Sequence, residues 1–148
     1  MIESLEYENP DAPVVDELDI GIELYYAFAE EICGKMDFTD GKIPEIEFVT
    51  DPEMRELNRT FRGKDSPTDV LSFTFDEEDF EDQETLGDLA ISIDTARRQA
   101  IENGLPLDLE IKQLILHGIL HLCGYDHETD SGEMNSLEIE LRTRFDIS

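Results

Sequence analysis

Apolar residues recur along this chain with two different periods, and the changes of period mark its elements. Leu18, Ile22, Tyr25, Phe28, Ala29 and Ile32 fall at the spacing of one helical face, which predicts an amphipathic helix from about Asp16 to Lys35. Ile46 and Phe48 alternate with Glu45 and Glu47 as in a half-buried strand. Thr50-Asp51-Pro52-Glu53 then reads as a helix start with a capping box, with Met54, Leu57 and Phe61 as the apolar face and Gly63 as the stop. Alternation returns from Asp69 to Phe75 and a further strand is expected from Leu86 to Ile93. Between them, Asp76 to Glu84 is an acidic run that should stay solvated, a divalent-ion site being the minor alternative. Asp94 is expected to cap a helix ending at Asn103-Gly104. The next helix, from about Leu107 to Cys123, is apolar around much of its circumference and belongs inside, against the sheet. Asp130, with Glu133 three residues on, should open a last helix carrying Met134, Leu137, Leu141 and Phe145.

A chain of 148 residues without repeats or linkers fits one domain, 1–148. Its start lacks the basic and apolar regions of a secretory signal, its longest apolar stretch is too short to span a bilayer, and Cys33 and Cys123 give no disulfide framework, so a soluble cytoplasmic protein is expected, with no membrane partner. The net charge of -27 repels phosphate backbones and excludes nucleic-acid binding through bulk electrostatics. Any such contact must be local. Arg55, Arg59, Arg62 and Lys64 place four of the eleven basic residues within ten positions, a candidate anion site. The alternative is a set of solvated helix charges paired with Glu53 and Glu56.

All three histidines lie in His117-Gly118-Ile119-Leu120-His121-Leu122-Cys123-Gly124-Tyr125-Asp126-His127. Residues four apart share a helical face, so His117 and His121 can hold one ion, and a turn at Gly124 can return His127 as a third ligand. Three nitrogens around a tetrahedral ion leave one position open, the arrangement of a catalytic zinc; imidazoles also suit nickel, copper or cobalt. Cys123, two residues past His121, points away and reads as a small buried apolar residue. The ligand spacing matches the zinc-protease pattern H-E-x-x-H-x-x-G-x-x-H, except that Gly118 replaces the general-base glutamate. Gly118 either lets the helix lie close to another backbone or keeps room beside the metal. Asp126 can cap a turn or orient a ligand, Tyr125 can pack or stack on a base, and Thr68, Asp69 and Ser72 can line a groove.

The block His117 to His127, the block Leu57-Asn58-Arg59-Thr60-Phe61-Arg62-Gly63-Lys64-Asp65 with Pro67 to Phe73, and the strand Leu86-Gly87-Asp88-Leu89-Ala90-Ile91 together resemble the YbeY family of bacterial endoribonucleases and rRNA maturation factors. The resemblance implies a zincin-like α+β fold with the ligand helix packed on a small mixed sheet. It implies one Zn²⁺ held by His117, His121 and His127, and matches Arg62 to the family's functionally important arginine, with Arg59 and Lys64 as substrate-binding candidates beside it. It further implies metal-dependent cleavage of single-stranded RNA in maturation of the 16S rRNA 3′ end and in ribosome quality control, with the small ribosomal subunit and assembly factors as partners and no role on DNA. Three other functions compete. A zinc peptidase would share the ligand spacing, yet loss of a positioned general base costs roughly 10²- to 10⁴-fold in rate. A non-catalytic ribosome-assembly protein would use the metal only to brace its fold, and a small-phosphoester hydrolase would need a closed pocket.

Overall fold

The computed structural model describes residues 22–39, 41–74, 85–125 and 131–148. In chain order they form helix α1 (Ile22–Lys35), a 3₁₀ turn (Asp37–Thr39), strand β1 (Glu45–Val49), helix α2 (Asp51–Arg62), strands β2 (Val70–Phe73) and β3 (Asp88–Ser92), and helices α3 (Ile93–Asn103), α4 (Leu107–Leu122) and α5 (Glu133–Arg144). The fold is α+β, as expected. The acidic segment 76–84, His127, Asp126 and Asp130 fall outside the described residues.

The three strands form a mixed sheet in the order β1-β3-β2, with β1 parallel and β2 antiparallel to β3. All five residues of the central β3 are buried, as in a strand covered on both faces. The alternation of its side chains divides the core in two. Leu89 and Ile91 join the larger cluster with α1, α4 and α5, while Ala90 joins Val49, Met54, Leu57, Leu71 and Phe73 beneath α2. On the edge strand, the Tyr26 hydroxyl accepts the Ile46 N–H at 2.8 Å and ties α1 to β1.

The capping box of α2 forms as read from sequence: Glu53 N–H donates to Thr50 Oγ1 at 3.3 Å and Thr50 N–H donates to Glu53 Oε1 at 3.2 Å. Gly63, at φ 69°, ends the helix in the left-handed region that glycine enters without strain. Two other expectations are corrected. Ser92, not Asp94, caps α3, accepting the Thr95 N–H at 3.3 Å. Asp94 instead accepts the Asp51 N–H at 2.8 Å and so serves α2. Gly132 occupies the cap position of α5 without a side-chain bond, where Asp130 was expected; Glu133 is already its first helical residue.

Asp51 answers Asp94 from the other side. Its Oδ1 accepts from Ser92 Oγ and Thr95 Oγ1, each at 2.6 Å, and Arg98 lies 2.7 Å from Oδ2. Each helix start therefore supplies a carboxylate to the other, a favourable place for negative charge. Partial burial pushes the Asp51 carboxyl up, but the two hydroxyls and the Arg98 guanidinium outweigh it and hold the group below the ordinary Asp range.

Helix α4 is the interior helix, with Ile111, Ile115, Leu116, Ile119 and Leu120 fully buried. It crosses β3 closely. A Cβ built on Gly118 would lie 2.6 Å from Leu89 Cδ2 and 3.1 Å from Cδ1, inside van der Waals contact. Gly118 does sit in a tight contact, but its neighbour is the Leu89 side chain and not the backbone expected from the sequence. Ser72 Oγ donates to the Gly118 carbonyl at 3.3 Å and joins β2 to the same turn.

Two outcomes follow for stability. Asp51→Asn should cost about 1–2 kcal/mol near neutral pH, from weakened charge-assisted bonds. Because the folded carboxyl titrates below its unfolded value of about 3.9, this difference should persist above that pH and shrink as pH falls through the folded value. Urea unfolding of both proteins at pH 7 and pH 3 checks it, and an unchanged difference would remove the ionic part of the explanation. Gly118→Ala gains about 1 kcal/mol of helix propensity but overpacks the core by about 1–3 kcal/mol. A net loss is expected, partly relieved by adding Leu89→Ala; additive double-mutant energies would show that the two residues do not collide.

Candidate functional site

The buried face of α4 fixes the direction of its histidines. With Gly118 turned to β3, His117 and His121 emerge one turn apart beside β2 and α5. Their rings meet edge to face with centroids 4.7 Å apart, and their Nε2 atoms are 3.1 Å apart. Behind the first ring, Glu138 of α5 places Oε1 2.5 Å from His117 Nδ1, and Arg142 pairs with the other carboxylate oxygen. Burial pushes the Glu138 carboxyl up, but the contacts to His117 and Arg142 outweigh it and keep it below the usual Glu range.

Two imidazole nitrogens on one tetrahedral zinc ion, each at about 2.0–2.1 Å, lie roughly 3.3–3.4 Å apart. The observed separation of 3.1 Å fits that spacing, and both donors are of the right type. His127, expected as the third ligand, lies outside the described residues, and among the described residues no group of three His, Cys, Asp or Glu is assembled to hold a metal. Cys123 packs half-buried against the core, with its thiol pushed up to about 11 by burial. Tyr125 likewise packs on that core.

The two histidines form part of the wall of a groove of about 530 Å³. Facing them are Arg62 at the end of α2, Lys64 just past Gly63, and Asn58, whose amide donates to the Ser66 carbonyl at 2.8 Å and holds the turn that follows α2. The remaining wall is the start of β2, with Thr68, Asp69 and Ser72, the three residues expected to line a groove. Asp69 is the one carboxylate lining this groove among the described residues, and its Oδ1 accepts the Val70 N–H at 2.7 Å.

The basic cluster is divided. Arg62 and Lys64 line the groove and form no ion pair among the described residues. Arg55 is held by Asp65 through two bonds of 2.8 and 2.9 Å, and Arg59 pairs with Glu56. Both line a separate hollow on the outer side of α2. Arg59, expected beside the substrate, is therefore not brought to the histidine groove. Glu53, expected as an ion-pair partner, is buried in the capping box. The contact of Glu138 with His117 was not anticipated. Its only local trace is the spacing of Glu138 and Arg142, four apart on a helix, which marks an ion pair but not its target.

A second glycine explains the strand block. Gly87 has φ 139°, and a Cβ there would lie 2.6 Å from the Phe73 carbonyl oxygen and 2.8 Å from Leu122 Cδ2. The following Asp88 is buried at the start of β3, where burial and then the nearby Glu45 push its carboxyl up.

Comparison with known proteins converges on one family. Residues 19–146 match the family model described as endoribonuclease YbeY. An endoribonuclease YbeY of Aquifex aeolicus is 59% identical over 88 residues, 60% of this chain and 58% of that one. The protein of the same name from Clostridioides difficile is 37% identical over 142 residues, covering 90% and 93% of the two chains, and that of Bacillus thuringiensis is 41% identical over 147 residues, covering 90% and 94%. A solution structure of a Thermotoga maritima protein superposes with a TM-score of 0.59 at 31% identity, over 84% of this chain and 80% of that one. With two histidines on one turn of the buried helix, Arg62 and Lys64 lining the same groove, and a family match over residues 19–146, this protein belongs to the endoribonuclease YbeY family.

Proposed function

We propose that this chain is a zinc-dependent endoribonuclease that cuts single-stranded RNA in the cytoplasm, in maturation of the 16S rRNA 3′ end and in ribosome quality control. The reading is carried by one juxtaposition: two histidine Nε2 atoms 3.1 Å apart share a groove with Arg62 and Lys64. His117, His121 and His127 would hold the ion, which when bound supplies a Lewis acid and a water acidified to a pKa of about 7.

The chain's own residues supply the rest. Arg62 presents a planar fork of donors that matches two phosphoryl oxygens, and Lys64 adds a compact positive charge on the same wall. Both stand against a net charge of -27, so they attract a phosphate locally while the rest of the surface repels a long backbone. That balance favours RNA presented by the small ribosomal subunit and its assembly factors over free RNA. Asp69, pinned by the Val70 amide, is the groove's carboxylate and its candidate proton acceptor. No helix of the described residues is long and apolar enough to cross a membrane.

A zinc peptidase is disfavoured by the packing at Gly118. The general-base glutamate of the protease pattern would occupy this position, where even a Cβ meets Leu89.

The test is cleavage of one single-stranded RNA and of its duplex by zinc-loaded protein, beside His121→Ala and Arg62→Ala purified identically. The parent should cut the single strand only. His121→Ala should be inactive, and Arg62→Ala should lose roughly 10²- to 10³-fold, as for removal of one donor that stabilises developing charge. Equal cutting by parent and His121→Ala, or none by either, would overturn the reading in favour of a ribosome-assembly protein. The product ends separate the routes, since a 2′,3′-cyclic phosphate marks attack by the RNA's own 2′-hydroxyl.

A further inference from the structure

The contact between α5 and the ligand helix has the form of a ligand-orienting bond rather than a surface ion pair. Glu138 is separated by 21 residues from His117, and its side chain is only 10% exposed. A carboxylate so placed is costly unless every oxygen is engaged. Both are: Oε1 lies 2.5 Å from His117 Nδ1, and Oε2 accepts from Arg142 one turn further along α5. An ionised carboxylate can only accept a hydrogen bond, so this contact puts the ring proton on His117 Nδ1. In the neutral ring, the form that binds a cation, the lone pair is then on Nε2, the atom that faces His121 Nε2 at 3.1 Å. Two cavities meet at this ring. His117 and Asp69 line both the groove that holds Arg62 and a second hollow of about 780 Å³ that contains Glu138 and Arg142. Glu138 thus holds the imidazole from the second hollow, which Arg62 does not line.

We infer that Glu138 is a positioning residue for the candidate metal centre: it fixes the tautomer and ring rotation of His117 so that Nε2 is presented to the cation, and Arg142 holds Glu138 for that task. The inference rests on the zinc reading above. It also explains why α5 packs on α4 at this turn through polar groups when Met134 and Leu141 of the same helix join the apolar core.

Histidine-bound metals lose about 10- to 100-fold in affinity when such an orienting partner is removed. The experiment uses the full chain stripped of metal, with Glu138→Gln as the variant of equal shape and Arg142→Gln as a second. Zinc affinity is measured by competition with a chromophoric chelator, and the His117 tautomer of the metal-free protein is read from ¹⁵N-histidine NMR. The parent should bind one zinc ion and show His117 protonated at Nδ1. Glu138→Gln should bind zinc about 10- to 100-fold more weakly and lose the single tautomer, and Arg142→Gln should shift both in the same direction by less. Thermal melts of the metal-free proteins identify any variant that has simply lost its fold. Unchanged affinity and tautomer in a folded Glu138→Gln would overturn the inference, as would a parent protonated at Nε2. A parent that binds no zinc would instead overturn the metal reading, while the NMR arm still decides whether Glu138 orients the ring.

Discussion

The contact between Gly118 and Leu89 sets the geometry of the rest of the site. At Gly118 the tip of the Leu89 side chain fills the space that a Cβ would need. Once that face of α4 is committed to the sheet, helical geometry fixes every other direction. Ile115 and Ile119 enter the core, and His117 and His121 are turned toward β2 and α5. The Ser72 hydroxyl on the Gly118 carbonyl fastens β2 to the same turn, so the wall carrying Thr68 and Asp69 is held in register with the histidines. A packing constraint in the core thereby becomes positional precision in the groove.

Electrostatics follows the same economy of elements. A chain with 38 acidic and 11 basic residues has few cations to leave uncommitted, and among the described residues Lys35, Arg55, Arg59, Arg98, Lys112 and Arg142 are held in ion pairs. Exposed pairs such as Arg55 with Asp65 contribute little to stability, typically below about 1 kcal/mol. Their consequence is spatial: with Arg55 and Arg59 engaged on the outer side of α2, the positive field of the cluster is concentrated where Arg62 and Lys64 enter the groove. Low-dielectric walls of Val70 and Leu71 strengthen that field on a bound phosphate.

What was legible in the sequence was what is local. The capping box of Thr50 and Glu53, the stop at Gly63 and the facing of His117 and His121 each depend on residues within one helical turn, and each formed as read. The mixed α+β character also came through, since periods of two and of three to four residues are locally distinct. The errors lie where a side chain had two possible clients. Asp94 carries the residue type of a cap but its partner is the Asp51 amide, 43 residues away, and Ser92 takes the cap. Phe61 falls on the apolar face of α2 yet remains 41% exposed, resting edge-on against Phe73 at the end of the sheet. Arg59 and Arg62 are three apart and indistinguishable by type; only the direction in which α2 leaves the sheet decides which one meets the groove. Glu138 belongs to the same class, because no spacing rule connects side chains 21 residues apart on two different helices.

These non-local pairings account for the departure from the protease pattern. There the carboxylate rides on the ligand helix, next to the first histidine; here that position faces the core, and a side chain longer than glycine would have to displace a fully buried leucine. Among the described residues, two carboxylates from other elements lie near the histidines: Asp69 from the start of β2 in the groove, and Glu138 from α5 against His117 Nδ1. A single residue cannot then serve as both orienting partner and proton acceptor. In the proposed reading the two tasks are divided, with Glu138 committed to the imidazole through a bond it shares with Arg142, and Asp69 left beside the phosphate-binding wall with one oxygen on the Val70 amide. Such a division ties the chemistry to the docking of α5 on α4 and of β2 on β3, so that the site is complete only when the whole domain is folded.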